Sequence, residues 1–94
     1  MPTAFICYCD SAARKLYIAL QYNNYRIPED VSIVSFDDTA LALTLNPALT
    51  SMGVNQNLFA DAALELMIEK LKHPESNRDI ILSPKIVERN SVKQ

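Results

Sequence analysis

The 94-residue chain has one glycine, no tryptophan, one histidine and two cysteines, and it carries no excess of positive charge. Each shortage removes a class of function. Phosphate-cradling loops need several glycines, so that the backbone can approach the phosphate closely. Gly53 alone cannot supply one. His73, the one histidine, lies in a polar turn ahead of Pro74, a poor place to build a nucleophile–histidine–acid arrangement. Cys7, Cys9 and His73 lack the paired spacing of zinc ligands, so neither a metal nor a cofactor is expected. Within a strand, Cys7 and Cys9 would point the same way and could not pair with each other. They read as reduced, small apolar residues of a buried segment, which fits a cytoplasmic setting. Nine basic residues are scattered against eleven acidic ones, for a net charge of -2. Nucleic-acid affinity rests on clustered Lys and Arg, so this chain by itself is not expected to bind DNA. No apolar run is long enough to span a bilayer, and the opening residues lack the basic start of an export signal.

Apolar residues are abundant, at 49% of the chain. A chain this short hides that much apolar surface poorly, so part of it is expected to face a partner or a missing part of the same protein.

Residues Thr3–Tyr8 form an apolar run without helical spacing, as a buried parallel strand does. Asp10 or Ser11 then offers a helix N-cap, with Ala12, Ala13, Leu16, Tyr17, Ala19 and Leu20 at helical intervals behind it. Asn23-Asn24 closes that helix, because Asn tolerates the left-handed conformation. The turn "RIPED" leads into a second buried strand, Val31–Phe36. Strand, helix, strand in that order predicts two parallel neighbours with a right-handed crossover. Asp37-Asp38 opens a loop or short helix running to Leu45, closed by Asn46-Pro47, and Leu49–Val54 reads as a third extended segment. An amphipathic helix follows from about Leu58 to Lys72, with a stripe of Phe59, Ala62, Ala63, Leu66, Met67 and Leu71, stopped by Pro74. Ile80–Leu82 and Lys85–Arg89 read as short β segments, and the last residues as a frayed tail. The fold class is α/β.

Asp37 and Asp38 are the most informative polar residues. They stand at the carboxyl end of a strand, where open α/β sheets place their ligand crevice. A carboxylate there can accept two hydrogen bonds from neighbouring sugar hydroxyls. Asp37 reads as the ligand residue and Asp38 as the cap of the following segment. Asp10 occupies the equivalent place after the first strand; capping is its leading role, with ligand contact as the alternative.

The stretch from "PTAFICYCD" through "IPEDVSIVSFDD" to "NPALTS" resembles the effector domain of the LacI/GalR family. "IPEDVSIVSFDD" is its most specific part, and the "ILSPKIVERNSV" ending is also similar to that family's close. The resemblance implies a two-lobed, three-layer periplasmic-binding-protein-like (type I) domain, of which this chain is an incomplete part. Residues 1–51 would belong to the C-terminal lobe, the helix within 55–73 to the N-terminal lobe, and 79–90 to the closing β segments. A helix without its lobe implies a truncated piece, a proteolytic remnant or a degenerate gene product. The isolated chain is then expected not to be a well-behaved monomer.

Residue by residue, the resemblance implies effector contacts at Asp37, Asp10, Cys9 and Val54. Cys9 stands where the family has Asn, and the family's next polar residue falls near Val54 or Asn55, an ungapped match giving Val54; these departures point to an altered effector or to a copy no longer selected for binding. Leu16, Leu41 and Leu45 would be dimer residues, the loop leucines standing exposed. The implied partners are a sugar-like small molecule and a second subunit, with DNA bound only through a missing N-terminal head and no membrane contact. A sugar-binding transport component of the same fold is the alternative reading. A metal-dependent receiver-like domain using Asp37 and Asp38 is a second one, although the acceptor Asp and the Lys it needs are not evident.

Overall fold

The computed structural model describes residues 2–94, so Met1, the first residue of the expected lobe, lies outside the described residues. The chain divides into two compact units, one running to Gly53 and resuming at Lys85–Gln94, the other Val54–Pro84.

In the first unit the elements are β1 (Ala4–Ile6), α1 (Asp10–Tyr22), β2 (Ser32–Phe36), α2 (Ala40–Thr44), β3 (Thr50–Gly53) and β4 (Lys85–Val87). They build one sheet in the order β1-β2-β3-β4. β1, β2 and β3 are parallel neighbours, with Phe5 opposite Ile33 and Ser35 opposite Ser51. β4 closes the edge antiparallel, Met52 opposite Ile86. The mixed α/β fold with a mostly parallel sheet is the one expected.

The core sits on one face of the sheet. Ala13, Tyr17 and Leu20 of α1 and Ala42 of α2 pack with Ile33, Val31, Ile27 and Leu49. Each fully buried aliphatic side chain of this kind contributes about 1.5–3 kcal/mol. On the other face the apolar side chains stay open, with Ile6 75%, Phe36 44% and Ile86 56% exposed. This corrects the reading of β1 and β2 as fully buried strands. An apolar run signals burial on both faces only where helices cover both, and here α1 and α2 line one. Within this unit the sheet and a single helical layer are formed.

α1 ends as its sequence says: Asn23 is the C-cap, its side-chain Nδ2 donates to Ala19 O at 2.7 Å, and Asn24 takes a left-handed φ of 64°. Its start differs. Cys9 is the N-cap and makes no side-chain capping bond, so the expected cap at Asp10 or Ser11 is not formed.

The tail is not frayed. Ser91 is fully buried; its Oγ donates to Ile33 O at 2.5 Å and accepts from Thr50 N at 2.8 Å, while its carbonyl accepts from Ile33 N at 2.9 Å. Lys93 N adds a bond to Ser32 Oγ at 2.9 Å. The tail therefore serves the start of β2, ahead of the point where β3 begins to pair with it.

The second unit is organised on α3 (Gln56–Lys72). It begins two residues before the expected Leu58, because Asn55 caps it: the Asn55 side chain accepts from Asn57 N at 2.9 Å and Leu58 N at 3.2 Å. No residue of α3 is buried. Besides the expected stripe, Leu64 and Ile68 stand 59% and 43% exposed. At about 100° per residue they extend the apolar surface well beyond one narrow face. Arg78 ties the following loop to the helix, reaching Glu65 at 3.0 Å and Glu69 at 3.5 Å. Ile80–Leu82 is not a strand. The run has strand composition but pairs with no neighbouring strand among the described residues, and a strand needs a ladder for its backbone groups.

Candidate functional site

Three parallel strands point their carboxyl ends to one rim, so the topology gathers Cys9-Asp10 after β1, Asp37-Asp38 after β2 and Gly53 at the end of β3. β1 and β2 share one sheet, and Asp37 is exposed rather than buried.

Asp37 and Asp38 have φ of 106° and 49°, two successive non-glycine residues in the left-handed half of conformational space. Such positions cost of order 1–3 kcal/mol each and persist where the surroundings impose them. Here the surroundings are visible. Asp37 N donates to Met52 O at 2.7 Å and Asp38 N to Ser51 Oγ at 2.9 Å. Asp38 Oδ1 accepts from Arg89 Nη2 at 2.7 Å, in an ion pair whose side chains are 24% and 14% exposed. Asp38 is therefore not a helix cap, since Thr39 is the N-cap residue of α2. It is the anchor of Arg89, whose Nη1 also donates to Leu49 O at 2.7 Å. Among the described residues the Asp37 carboxylate has no hydrogen-bond or ion-pair partner.

Asp10 is 1% exposed, and its two oxygens each accept two bonds. Oδ1 takes the hydroxyls of Ser35 and, at 2.7 Å, Ser51. Oδ2 takes Thr39 N at 2.6 Å and Thr39 Oγ1 at 2.8 Å. Burial pushes this carboxyl up, but the bonds from Ser35, Ser51 and Thr39 outweigh it and hold Asp10 below the usual aspartate range. With all four acceptor positions filled, the side chain is committed to the protein interior.

Cys7 and Cys9 are both half-buried, free thiols rather than fully buried ones. Burial, with Cys9 beside it, pushes the Cys7 thiol up and keeps it protonated. Val54 is half-buried and opens the second unit. Leu16 and Leu45 pack against the core, and Leu41 is half-buried. The expectation of exposed loop leucines at Leu41 and Leu45 is thus corrected: on a single-turn helix the side chain turned outward is Leu43, 66% exposed. A hollow of about 800 Å³ in the first unit lies among Gln21, Tyr25, Arg26, Pro47 and Lys93.

Sequence reasoning missed Ser35, Ser51, Thr39 and Arg89. A usable signal was present: Ser35 and Ser51 are polar residues inside otherwise apolar strands, and a polar side chain on a core face needs a partner.

Residues 1–92 match the family model described as a periplasmic binding protein-like domain. The chain belongs to this family. Among its relatives, the HTH-type transcriptional repressor PurR of Vibrio cholerae is 38% identical over 93 residues, covering 98% of this chain and 28% of that protein. The ribose operon repressor of Haemophilus influenzae is 36% identical over 92 residues, covering 97% and 28%. A LacI-type transcription regulator from Bifidobacterium animalis superposes with a TM-score of 0.89 at 30% identity, over 99% of this chain and 34% of that one. Within the periplasmic binding protein-like family, these likenesses are to transcription regulators of the LacI type. It spans under a third of the length of these curated relatives.

Proposed function

We propose that this chain is the ligand-sensing and dimer-forming part of a LacI/GalR-type transcription regulator, with Asp37 as the carboxylate that engages a small, sugar-like effector. The observation that carries the reading is the state of Asp37: exposed at the carboxyl end of β2, its carboxylate without a partner among the described residues, and held by its neighbours in a left-handed turn. A carboxylate fixed in that way accepts paired hydroxyl donors without first having to be ordered.

The first unit is then the C-terminal lobe, and α3 belongs to the N-terminal one. Cys9 and Val54 are the further candidates for effector contact, and Asp10 supports the rim from beneath. Leu16, Leu41 and Leu45 remain dimer candidates, with Leu43 added by its exposure. Effector binding shifts the population between lobe arrangements, and DNA is bound by a separate head. The protein acts in the cytoplasm and catalyses no reaction. The relatives named above are repressors, which favours this reading over a transport component.

Calorimetric titration of the full-length protein with a panel of aldoses tests it. We expect saturable binding of at least one member, lost by tenfold or more in Asp37→Ala, roughly the worth of a hydrogen bond to a charged group. An affinity that Asp37→Ala leaves unchanged overturns the assignment.

A further inference from the structure

We propose that Asp10 is a positioning residue: by holding Thr39 directly and Asp38 through Ser51, it locks the turn that presents Asp37. The proposal deepens the reading above and rests on it for the role of Asp37, but not for the geometry.

Asp10 is a buried carboxylate with no ion-pair partner among the described residues. A buried charge is expensive unless hydrogen bonds replace its hydration, so the four donors around it form a unit. They come from three separate places: Ser35 on β2, Ser51 on β3 and Thr39 at the start of α2. Two of these arms end on the residues that follow Asp37. Thr39 gives Asp10 both its amide and its hydroxyl. The second arm is directional. An ionised carboxylate only accepts, so the Ser51 hydroxyl must donate to Asp10. Its oxygen is thereby left to accept the Asp38 amide at 2.9 Å. The left-handed pair Asp37-Asp38 is thus tied on its carboxyl-terminal side at two successive amides, both leading back to one buried group. Asp37 itself contributes nothing to the lock beyond a backbone bond to Met52. Its carboxylate is left free by the bonds its neighbours make.

The test uses the isotope-labelled 94-residue chain and amide hydrogen exchange, with no ligand present. In the unmodified chain we expect a through-hydrogen-bond coupling between Thr39 N and Asp10 Cγ; its absence overturns the proposal. In Asp10→Ala we expect exchange protection at Thr39 and Asp38 to fall by about tenfold or more, and the Asp37 signals to shift, while the Ile33 and Leu20 amides keep their protection. Asp10→Asn has one oxygen to offer. It is expected to recover Thr39 while leaving Asp38 weakened, because its amide group donates to Ser51 instead of accepting. Unchanged protection at Thr39 and Asp38 in Asp10→Ala refutes positioning, and so does a uniform loss across the sheet. Should Asp10→Ala fail to fold, the split between Thr39 and Asp38 in Asp10→Asn decides, and equal behaviour of the two amides counts against us. Because no effector enters these measurements, their failure is separate from a failure of Asp37→Ala to weaken binding.

Discussion

Gly53 lies against the backbone of Asp37, so close that a Cβ at position 53 would collide with the Asp37 carbonyl oxygen. That Cβ would also stand 2.7 Å from the Asp37 carbonyl carbon and 3.0 Å from Asp38 Cβ. The one glycine of the chain is therefore explained by the approach of β3 to the rim turn. Backbone cannot retreat as a flexible side chain can, so Gly53→Ala forces the turn or the end of β3 to shift. We expect a loss of about 1–3 kcal/mol, typical of overpacking, read as a lower urea midpoint. The changed amide signals should centre on Asp37 and Asp38.

The ion pair between Arg89 and Asp38 is a second brace of the same turn, and it is partly buried. Arg89→Met leaves Asp38 without its guanidinium and Leu49 O without its donor. We expect a double-mutant cycle of Arg89→Met with Asp38→Asn to give a coupling of about 1–3 kcal/mol, in the range for hydrogen bonds to charged groups. A coupling near zero would place this pair with the exposed kind that contribute little.

These braces were the least legible part of the chain. The order of elements, the parallel pairing of β1 with β2, the Asn23-Asn24 stop and the position of Asp37 all follow from local spacing and turn chemistry. The Asp10 network does not, because its partners lie 25, 29 and 41 residues away. At the sequence level an Asp before a helical run reads as a cap, and nothing local says that the carboxylate turns inward. Ser91 failed for the same reason. A polar residue near the end of a chain looks solvated until Ile33 and Thr50 are seen to bond to it. Ile80–Leu82 erred the other way, with strand composition and no strand to pair with.

Acid stability follows from the depressed Asp10 carboxyl. In the unfolded chain this group titrates near its ordinary value of about 3.9; in the folded chain it titrates lower. Its contribution is therefore fully present above about pH 4 and is lost as the pH falls through the folded value. Asp30, lowered by its bonds from Arg26, acts in the same direction. The informative measurement is thus a difference: the slope of stability against pH between about 4 and 2 should be shallower in Asp10→Asn than in the unmodified chain. Parallel slopes would mean that the folded and unfolded values coincide.

Tyr17 governs the alkaline side. It is 2% exposed, its hydroxyl donates to Pro47 O at 2.9 Å, and burial, aided by Cys7 and opposed by Ser91, pushes it up to about 12. Because the folded value lies above the unfolded one of about 10, its contribution is intact below pH 10 and fades as the pH climbs toward 12. We expect Tyr17→Phe to cost about 1 kcal/mol at neutral pH, from the lost bond and the stranded carbonyl. The same variant should flatten the decline between pH 10 and 12, as followed by circular dichroism.

The last expectation concerns the surface of α3, where Phe59, Leu64, Met67 and Leu71 are 61%, 59%, 60% and 75% exposed. A helix apolar on more than one face is stable in water only if something covers it. In the isolated 94-residue chain the material at hand is another copy, so sedimentation velocity should show concentration-dependent association. Substituting Phe59→Glu together with Met67→Glu sets charges on that surface without touching the core of the first unit. Burying those charges between copies would go uncompensated, and the doubly substituted chain should sediment as a smaller species. A single monomeric boundary for the unmodified chain at high concentration would mean that α3 is stable uncovered.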